Sequence, residues 1–113
     1  MSASVVYSKL ALSDLEYIWS FLTIDCDNAN AAERTINGVL DDLERLAILP
    51  ESGTPLDYRC IIHSDYRFIV SGNYLAFYLF EDGIVHIVRV LDGRSDYLRK
   101  LLGTSSSAID LYL

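Results

Sequence analysis

Apolar residues recur every three or four positions in the first half of the chain, which is the spacing of an amphipathic helix. One stripe runs through Ala11, Leu15, Ile18, Trp19 and Leu22. A second stripe consists of Ile36, Val39, Leu40, Leu43, Leu46 and Ala47. Only the short polar stretch 25–30 separates them. We therefore expect an antiparallel pair of helices that buries the sides carrying Trp19 and Leu40.

Capping residues and a helix breaker predict where these helices begin and end. The first helix begins at Ser8 or at Ser13, and Ser13 with Glu16 has the form of a capping box. Asn30, with a glutamate three residues on, predicts the start of the second helix. Pro50 ends that helix near residue 49.

The period of the pattern changes to two in the second half, and residues rich in Ile, Val, Phe and Tyr predict strands. Together with a short first strand, the predicted strands are Val5–Tyr7, Tyr58–His63, Tyr66–Ser71, Tyr74–Phe80 and Ile84–Leu91. Asp82-Gly83 is the strongest hairpin signal in the chain, since both turn positions favour positive φ. Residues 71–73 are expected to form the preceding turn. A short helix from Ser95 to Gly103 ends the pattern.

This order predicts an α+β fold: an N-terminal strand and an antiparallel helical hairpin packed on a twisted antiparallel sheet of four or five strands, followed by a short C-terminal helix. The chain has 113 residues, which suits a single domain. We assign residues 1–103 to that domain and residues 104–113 to a loosely held tail.

Charge is distributed unevenly along the chain. The net charge is −7, and residues 1–58 contain ten acidic and three basic residues, whereas residues 59–113 contain six of each. Affinity for nucleic acid comes mainly from basic residues that neutralise phosphates. A large non-specific nucleic-acid surface is therefore not expected, and any phosphate contact has to come from arginines of the second half.

Other residue patterns narrow the class of protein further. No apolar run is long enough to span a membrane, and the first residues lack the features of a signal peptide, so we expect a cytoplasmic protein. Cys26 and Cys60 have neither metal-ligand spacing nor a nearby histidine, and we expect reduced thiols. His63 and His86 are interpreted as surface or structural residues. The sequence predicts no cofactor, no metal and no membrane association.

Several short motifs, in this order and at this spacing, resemble the RelE/ParE toxin superfamily of type II toxin–antitoxin systems. Residues 8–18 (SKLALSDLEYI) are similar to the first helix of the superfamily, and residues 31–55 to its second helix and following turn. Residues 73–78 (NYLAFY) and 87–96 (IVRVLDGRSD) resemble its last two strands. The resemblance covers residues 5–102 and implies the α+β fold predicted above.

The superfamily contains two chemistries, and the resemblance implies one of them for this chain. RelE-type members cut messenger RNA on the ribosome with basic residues, whereas ParE-type members poison DNA gyrase. RNA-cutting relatives have basic residues at the positions that match Ile69 and Leu75, and only Arg67 remains here. Residues 73–78 and 89–96 look more like the ParE branch, although Leu79 and Asp92 depart from its pattern.

Strand alternation predicts where the functional residues lie. Arg67, Ile69 and Ser71 are expected to share one face of the sheet, which Leu75, Phe77 and Leu79 extend. The predicted target- or partner-binding residues are Arg67, Ile69, Leu75, Phe77, Leu79, Arg89 and Arg94. If the protein is an enzyme, the candidate catalytic residues are Arg67, Arg89, Arg94 and Tyr97. Alternatively, Tyr97 anchors the last helix, and Arg89 and Arg94 pair with Asp92 and Asp96.

The resemblance implies the toxin of a plasmid-stabilisation module, which a cognate antitoxin protein neutralises. We expect it to act by binding a target such as DNA gyrase. The alternatives are a ribosome-dependent mRNA endoribonuclease of the RelE type, and a decayed family member that only binds its partner. The apolar sheet face favours a binding protein, because a monomer rarely exposes such a surface.

Overall fold

The computed structural model describes residues 2–56 and 65–94, which form two helices and five strands. The strands are β1 (Ser4–Tyr7), β2 (Thr54–Pro55), β3 (Arg67–Ser71), β4 (Tyr74–Glu81) and β5 (Ile84–Asp92). The helices are α1 (Lys9–Ser20), which continues as a π-helical turn over Phe21–Asp25, and α2 (Ala29–Glu44), which ends in the 3₁₀ turn Arg45–Ala47. The predicted strand Tyr58–His63 and the C-terminal helix and tail lie outside the described residues.

Both helices begin with a polar side chain that satisfies a free backbone N–H, as helix N-termini require. Ser8 Oγ accepts a hydrogen bond from the Ala11 N–H at 3.0 Å, and Asn28 Oδ1 accepts one from the Ala31 N–H at 2.9 Å. Of the two predicted starts for the first helix, Ser8 is confirmed, and Ser13 lies inside α1. The prediction that α2 opens at Asn30 was wrong by two residues, because Asn28 is the cap.

The five strands form one sheet in the order β1-β5-β4-β3-β2. The α+β class, with two helices packed on this sheet, is confirmed. The sheet is mixed rather than wholly antiparallel, because β1 pairs parallel to β5 after the chain crosses over through both helices. Asp82 and Gly83 have φ of 53° and 76°, which confirms the predicted tight turn between β4 and β5.

Most of the core lies between the helices and one face of the sheet. Its buried residues are Ala11, Leu15, Ile18, Val39, Leu43, Leu46, Ala76, Tyr78, Val85, Ile87 and Val90. Leu40 packs against this core, as predicted. Trp19 does not turn inward as expected: it is 42% exposed, because Ala11, Leu15 and Ile18 already form the buried stripe of α1. A smaller cluster of Leu56, Phe68, Phe77 and Leu91 covers part of the opposite face. Neither described helix is long and apolar enough to cross a membrane.

Candidate functional site

The predicted binding residues lie on two different faces of the sheet. Ser71 pairs directly with Tyr74 across a two-residue turn, so Arg67 and Ile69 lie opposite Tyr78 and Ala76. Directly paired residues share a face. The prediction that Arg67, Ile69 and Ser71 share a face with Leu75, Phe77 and Leu79 was therefore wrong. Counting Ser71 as part of the turn shifts the pairing by one residue, which exchanges the faces.

The face of the sheet away from the helices, here called the outer face, carries a row of apolar side chains. Phe77 is fully buried there, in the smaller cluster. Leu75 and Val88 pack on that cluster and are half-buried. By the strand register, Leu79, His86 and Val6 continue the row to the edge of the sheet, and Val6 is 48% exposed. Ile69 packs instead on the helix side.

Arg89 lies at an irregularity in β5, where the register against β4 shifts between Phe77 and Tyr78. Its guanidinium binds Asp14 of α1 through two hydrogen bonds of 2.8 Å, Nε to Oδ2 and Nη2 to Oδ1. The Val90 N–H also donates to Asp14 Oδ2 at 3.0 Å. One carboxylate thus joins α1 to the irregular part of β5. The hydrogen bond to Asp14 raises the pKa of Arg89 above its ordinary value.

This contact gives Arg89 a partner that the sequence did not predict, and it adds a residue that sequence reasoning missed. The expected partners, Asp92 and Asp96, are close in sequence, whereas Asp14 is 75 residues away. The side chains of Arg89 and Asp14 are 16% and 12% exposed. The opposite charges of this largely buried pair neutralise each other inside the fold. Asp14 was part of a recognised motif, but nothing in its spacing indicated β5.

Arg67 and Tyr78 hold the loop that follows α2 against the sheet. The Tyr78 hydroxyl donates to the Pro50 carbonyl at 2.8 Å and accepts from the Gly53 N–H at 2.9 Å. Arg67 Nη1 donates to the carbonyls of Gly53 and Glu51 at 2.9 and 3.2 Å. Burial raises the pKa of Tyr78 above its ordinary value, so its hydroxyl keeps its proton. Tyr78 was not a predicted site residue, because a core position and a loop anchor have the same strand pattern.

Arg67 also borders an open pocket at one end of the sheet. The lining residues are Glu51, Asp65, Arg67, Leu79, Phe80 and Glu81. Three of these six residues are acidic, so the pocket opposes the approach of a phosphate group. Its charge suits a cationic or neutral group better than an anion.

Arg94 pairs with Asp92, which confirms that alternative for Arg94. Arg94 Nη2 lies 3.1 Å from Asp92 Oδ2, and its backbone N–H donates to Asp92 Oδ1 at 2.8 Å. The Arg94 side chain is 83% exposed, so this pair lies at the surface. Asp92 also contributes to raising the pKa of Tyr74, after the larger effect of burial. Tyr97 and Asp96 lie outside the described residues.

The three arginines therefore do not converge on one point: Arg67 holds a loop, Arg89 holds a helix, and Arg94 pairs at the surface. Among residues 2–56 and 65–94, no three His, Cys, Asp or Glu side chains are grouped to hold a metal ion. What the sheet does offer is the apolar row on its outer face.

Comparison with known proteins agrees with this architecture. Residues 5–97 match the sequence family described as the ParE toxin of the type II toxin–antitoxin system parDE. No curated protein matches the sequence significantly. A solved structure of the chromosomal ParDE system from P. aeruginosa is similar with a TM-score of 0.68 at 14% identity, covering 80% of this chain and 96% of that one.

A second similar structure is that of the toxin–antitoxin complex RelBE2 from Mycobacterium tuberculosis, with a TM-score of 0.60 at 19% identity. The similarity covers 81% of this chain and 99% of that one. At these identities the two structures establish the shared fold. The family match, which spans most of the chain, establishes more: this protein belongs to the ParE toxin family of type II toxin–antitoxin systems.

Proposed function

We propose that this protein is a toxin that a cognate antitoxin neutralises and that acts by binding a protein target, with DNA gyrase as the candidate, rather than by cutting RNA. The observation that carries the proposal is that three arginines of the described residues are already engaged within the fold. Arg67 donates to two backbone carbonyls, Arg89 to Asp14, and Arg94 to Asp92. Each of these guanidinium groups therefore either holds a loop in place or is paired with a carboxylate of the same chain.

Cleavage of an RNA phosphate requires cations or proton donors that are aimed at the charge developing in the transition state. Arg67 faces a pocket lined by three acidic residues, and Arg89 is neutralised beside α1. Moving Arg89 to a substrate would take this counter-ion away from the part-buried Asp14, at a cost of about 2–4 kcal/mol. The net charge of −7 also opposes approach to the polyanionic ribosome.

The proposed contact surface is the outer face, with Leu75 and Leu79 as the predicted binding residues that it presents. Phe77 supports this surface from below, since it is fully buried. An apolar surface of this kind suits a protein partner. The similar structures come from toxin–antitoxin systems, which supports an antitoxin as one occupant and the target as the other.

Controlled expression tests this proposal. Cells that express the wild-type chain should stop growing, induce a DNA damage response and keep their transcripts intact. Co-expression with the antitoxin, expected to be encoded by a short adjacent gene, should restore growth. Site-specific transcript cleavage on translating ribosomes that disappears with Arg67→Ala would show that the protein is an endoribonuclease. Normal growth without any antitoxin would favour the decayed family member.

A pair of matched variants tests the surface. Leu79→Lys places a charge on the outer face, whereas Leu10→Lys places one on α1, where Leu10 is 57% exposed. We expect Leu79→Lys to abolish toxicity or neutralisation and Leu10→Lys to leave both unchanged. Circular dichroism confirms that each variant is folded. Equal behaviour of the two variants would contradict the assignment of the outer face.

A further inference from the structure

The two helices leave an apolar groove open to solvent between them, here called the helix groove. Its lining residues are Leu12, Leu15, Glu16, Trp19 and Ser20 of α1 and Ile36 of α2. Leu12 and Trp19 are 50% and 42% exposed, and Trp19 is the single tryptophan of the chain. Apolar patches rimmed by polar residues mark protein-binding surfaces, and tryptophan is enriched among the residues that dominate binding energy there. The helix groove therefore has the composition of a protein contact.

Two glutamates border the helix groove, one from each helix. Glu16 is among its lining residues, and Glu33 lies three residues before Ile36, on the same side of α2. Both glutamates are exposed, and within residues 2–56 and 65–94 neither side chain makes an ion pair or a hydrogen bond. The groove thus combines apolar surface with negative charge that these parts of the fold do not neutralise.

The basic residues of the helical hairpin do not offset this charge. From the start of α1 to the end of the 3₁₀ turn after α2, the chain contains eight acidic and three basic residues. Arg34 and Arg45 lie two residues before and nine residues after Ile36, which places both on the opposite side of the helical axis. Lys9 precedes Glu16 by about two turns of α1. A ligand of the groove therefore meets a negative potential.

We propose that the helix groove is a second contact surface for the target, in addition to the outer face, and that it binds a segment with a lysine or arginine beside an apolar side chain. This inference rests on the proposed function, since it names the target as the occupant. The apolar side chain covers Leu12 and Trp19, and the basic one pairs with the bordering glutamates. A cation near the exposed indole is also attracted by the face of its ring.

Charge and position favour the target over two other occupants. A second copy of this chain would bring the same two glutamates to the groove, and like charges across an interface oppose binding. The antitoxin is proposed to cover the outer face, which lies on the side of the sheet opposite the helices, and so leaves the groove open. The candidate target, in contrast, binds DNA, and proteins that bind DNA carry basic residues that neutralise its phosphates.

The Kd between the purified protein and purified DNA gyrase tests the proposal. Glu16→Lys and Glu33→Lys should each raise the Kd by about tenfold or more, because each places a positive charge where a basic side chain binds. Asp41→Lys is the matched control, since Asp41 is exposed on α2 but lies five residues after Ile36, away from the groove. It should raise the Kd by no more than about threefold, through the net charge alone. Added salt should weaken wild-type binding more than binding of Glu33→Lys.

A second matched pair tests the apolar part of the groove. Leu12→Ser should raise the Kd by about fivefold or more, because it removes apolar surface from the contact. Leu10→Ser is the control: Leu10 is 57% exposed, close to the 50% of Leu12, but lies on the other side of α1. It should bind gyrase as the wild type does. Circular dichroism confirms that each variant is folded.

The outcomes separate this inference from the proposed function. Equal binding of gyrase by Glu33→Lys and Asp41→Lys would overturn the inference and leave the proposed function intact, because gyrase would still bind. Weaker binding of the antitoxin, with unchanged binding of gyrase, in Glu16→Lys and Glu33→Lys would show that the antitoxin occupies the groove. A wild-type dimer that Leu12→Ser dissociates would show that the occupant is a second copy. If gyrase does not bind the wild-type protein, the proposed function and this inference both fail.

Discussion

Replacing Asp14 by asparagine should destabilise the fold more than its loss of one charge suggests. Asp14→Asn keeps the size of the side chain but removes the counter-ion of Arg89. The carboxylate accepts from Arg89 Nε and Nη2 and from the Val90 N–H, at 2.8, 2.8 and 3.0 Å. Asparagine offers one oxygen for these three donors. At least one of these three donors would lose its acceptor, and Arg89 would lose the negative charge of Asp14.

The structure sets the size of the expected effect. Removing one partner of a buried ion pair typically costs about 3–5 kcal/mol. Because the Arg89 side chain is 16% exposed and asparagine keeps one acceptor, we expect a loss of about 2–4 kcal/mol in the free energy of unfolding. A domain of this size is typically stable by roughly 5–15 kcal/mol, so the variant should still fold.

Urea denaturation at neutral pH measures this loss, and Glu16→Gln is the matched control. Glu16 lies two residues further along α1 and is exposed, so the same charge change should cost no more than about 0.5 kcal/mol. The double variant Asp14→Asn with Arg89→Gln should cost less than the sum of the single variants, because the two side chains contact each other directly. Equal stability of Asp14→Asn and Glu16→Gln would refute the reasoning.

Three further predictions concern the loop, an edge tyrosine and a helix cap. Gly53→Ala should lower the free energy of unfolding by about 1–3 kcal/mol, since a Cβ there would lie 2.5 Å from the Tyr78 hydroxyl. Gly38→Ala, where no atom lies within 4 Å of the new Cβ, should raise the free energy of unfolding by about 0.5–1 kcal/mol. Thermal melts should therefore shift down for Gly53→Ala and up for Gly38→Ala, and shifts in the same direction would contradict this prediction. Burial and Glu44 raise the pKa of Tyr7 from 10.0 to about 12. Its contribution to the free energy of unfolding is therefore complete below pH 10 and is lost as the pH rises toward 12. The free energy of unfolding should fall less steeply over that range in Tyr7→Phe than in the wild type, and identical pH profiles of the two proteins would contradict this prediction. Ser8→Ala removes the α1 cap and a 2.7 Å bond to the Val88 carbonyl, which should cost about 1–2 kcal/mol in urea denaturation, and wild-type stability would show that the cap contributes nothing.

The order of helices and strands was predictable because it depends on local signals. The stripe of Ala11, Leu15 and Ile18 marked α1, and Asp82-Gly83 marked the turn between β4 and β5. The face of the sheet on which each side chain lies was harder to predict. It depends on whether Ser71 belongs to the turn or to β3, and one residue decides which side chains share a surface.

The candidate site was harder to predict, because it depends on contacts between distant residues. Asp14 and Arg89 meet only because the chain crosses over through both helices before β5. Within residues 2–56 and 65–94, β1 lies at the edge of the sheet. That position is a property of the strand order and leaves no mark on residues 4–7 themselves. The prediction that Trp19 is buried failed for a different reason: the apolar stripe of a helix can be wider than the face that a small sheet covers.

Inhibition of purified DNA gyrase is the most direct test of the central claim that this protein acts by binding a protein target. The measurement is the rate of DNA supercoiling as the protein is added to a fixed concentration of gyrase, with and without the antitoxin. We predict that supercoiling falls in proportion to the protein added, stops near stoichiometric amounts, and recovers when the antitoxin is present. Two results together would contradict the claim: supercoiling stays unchanged at a large excess of the protein, and the same preparation cuts messenger RNA on translating ribosomes.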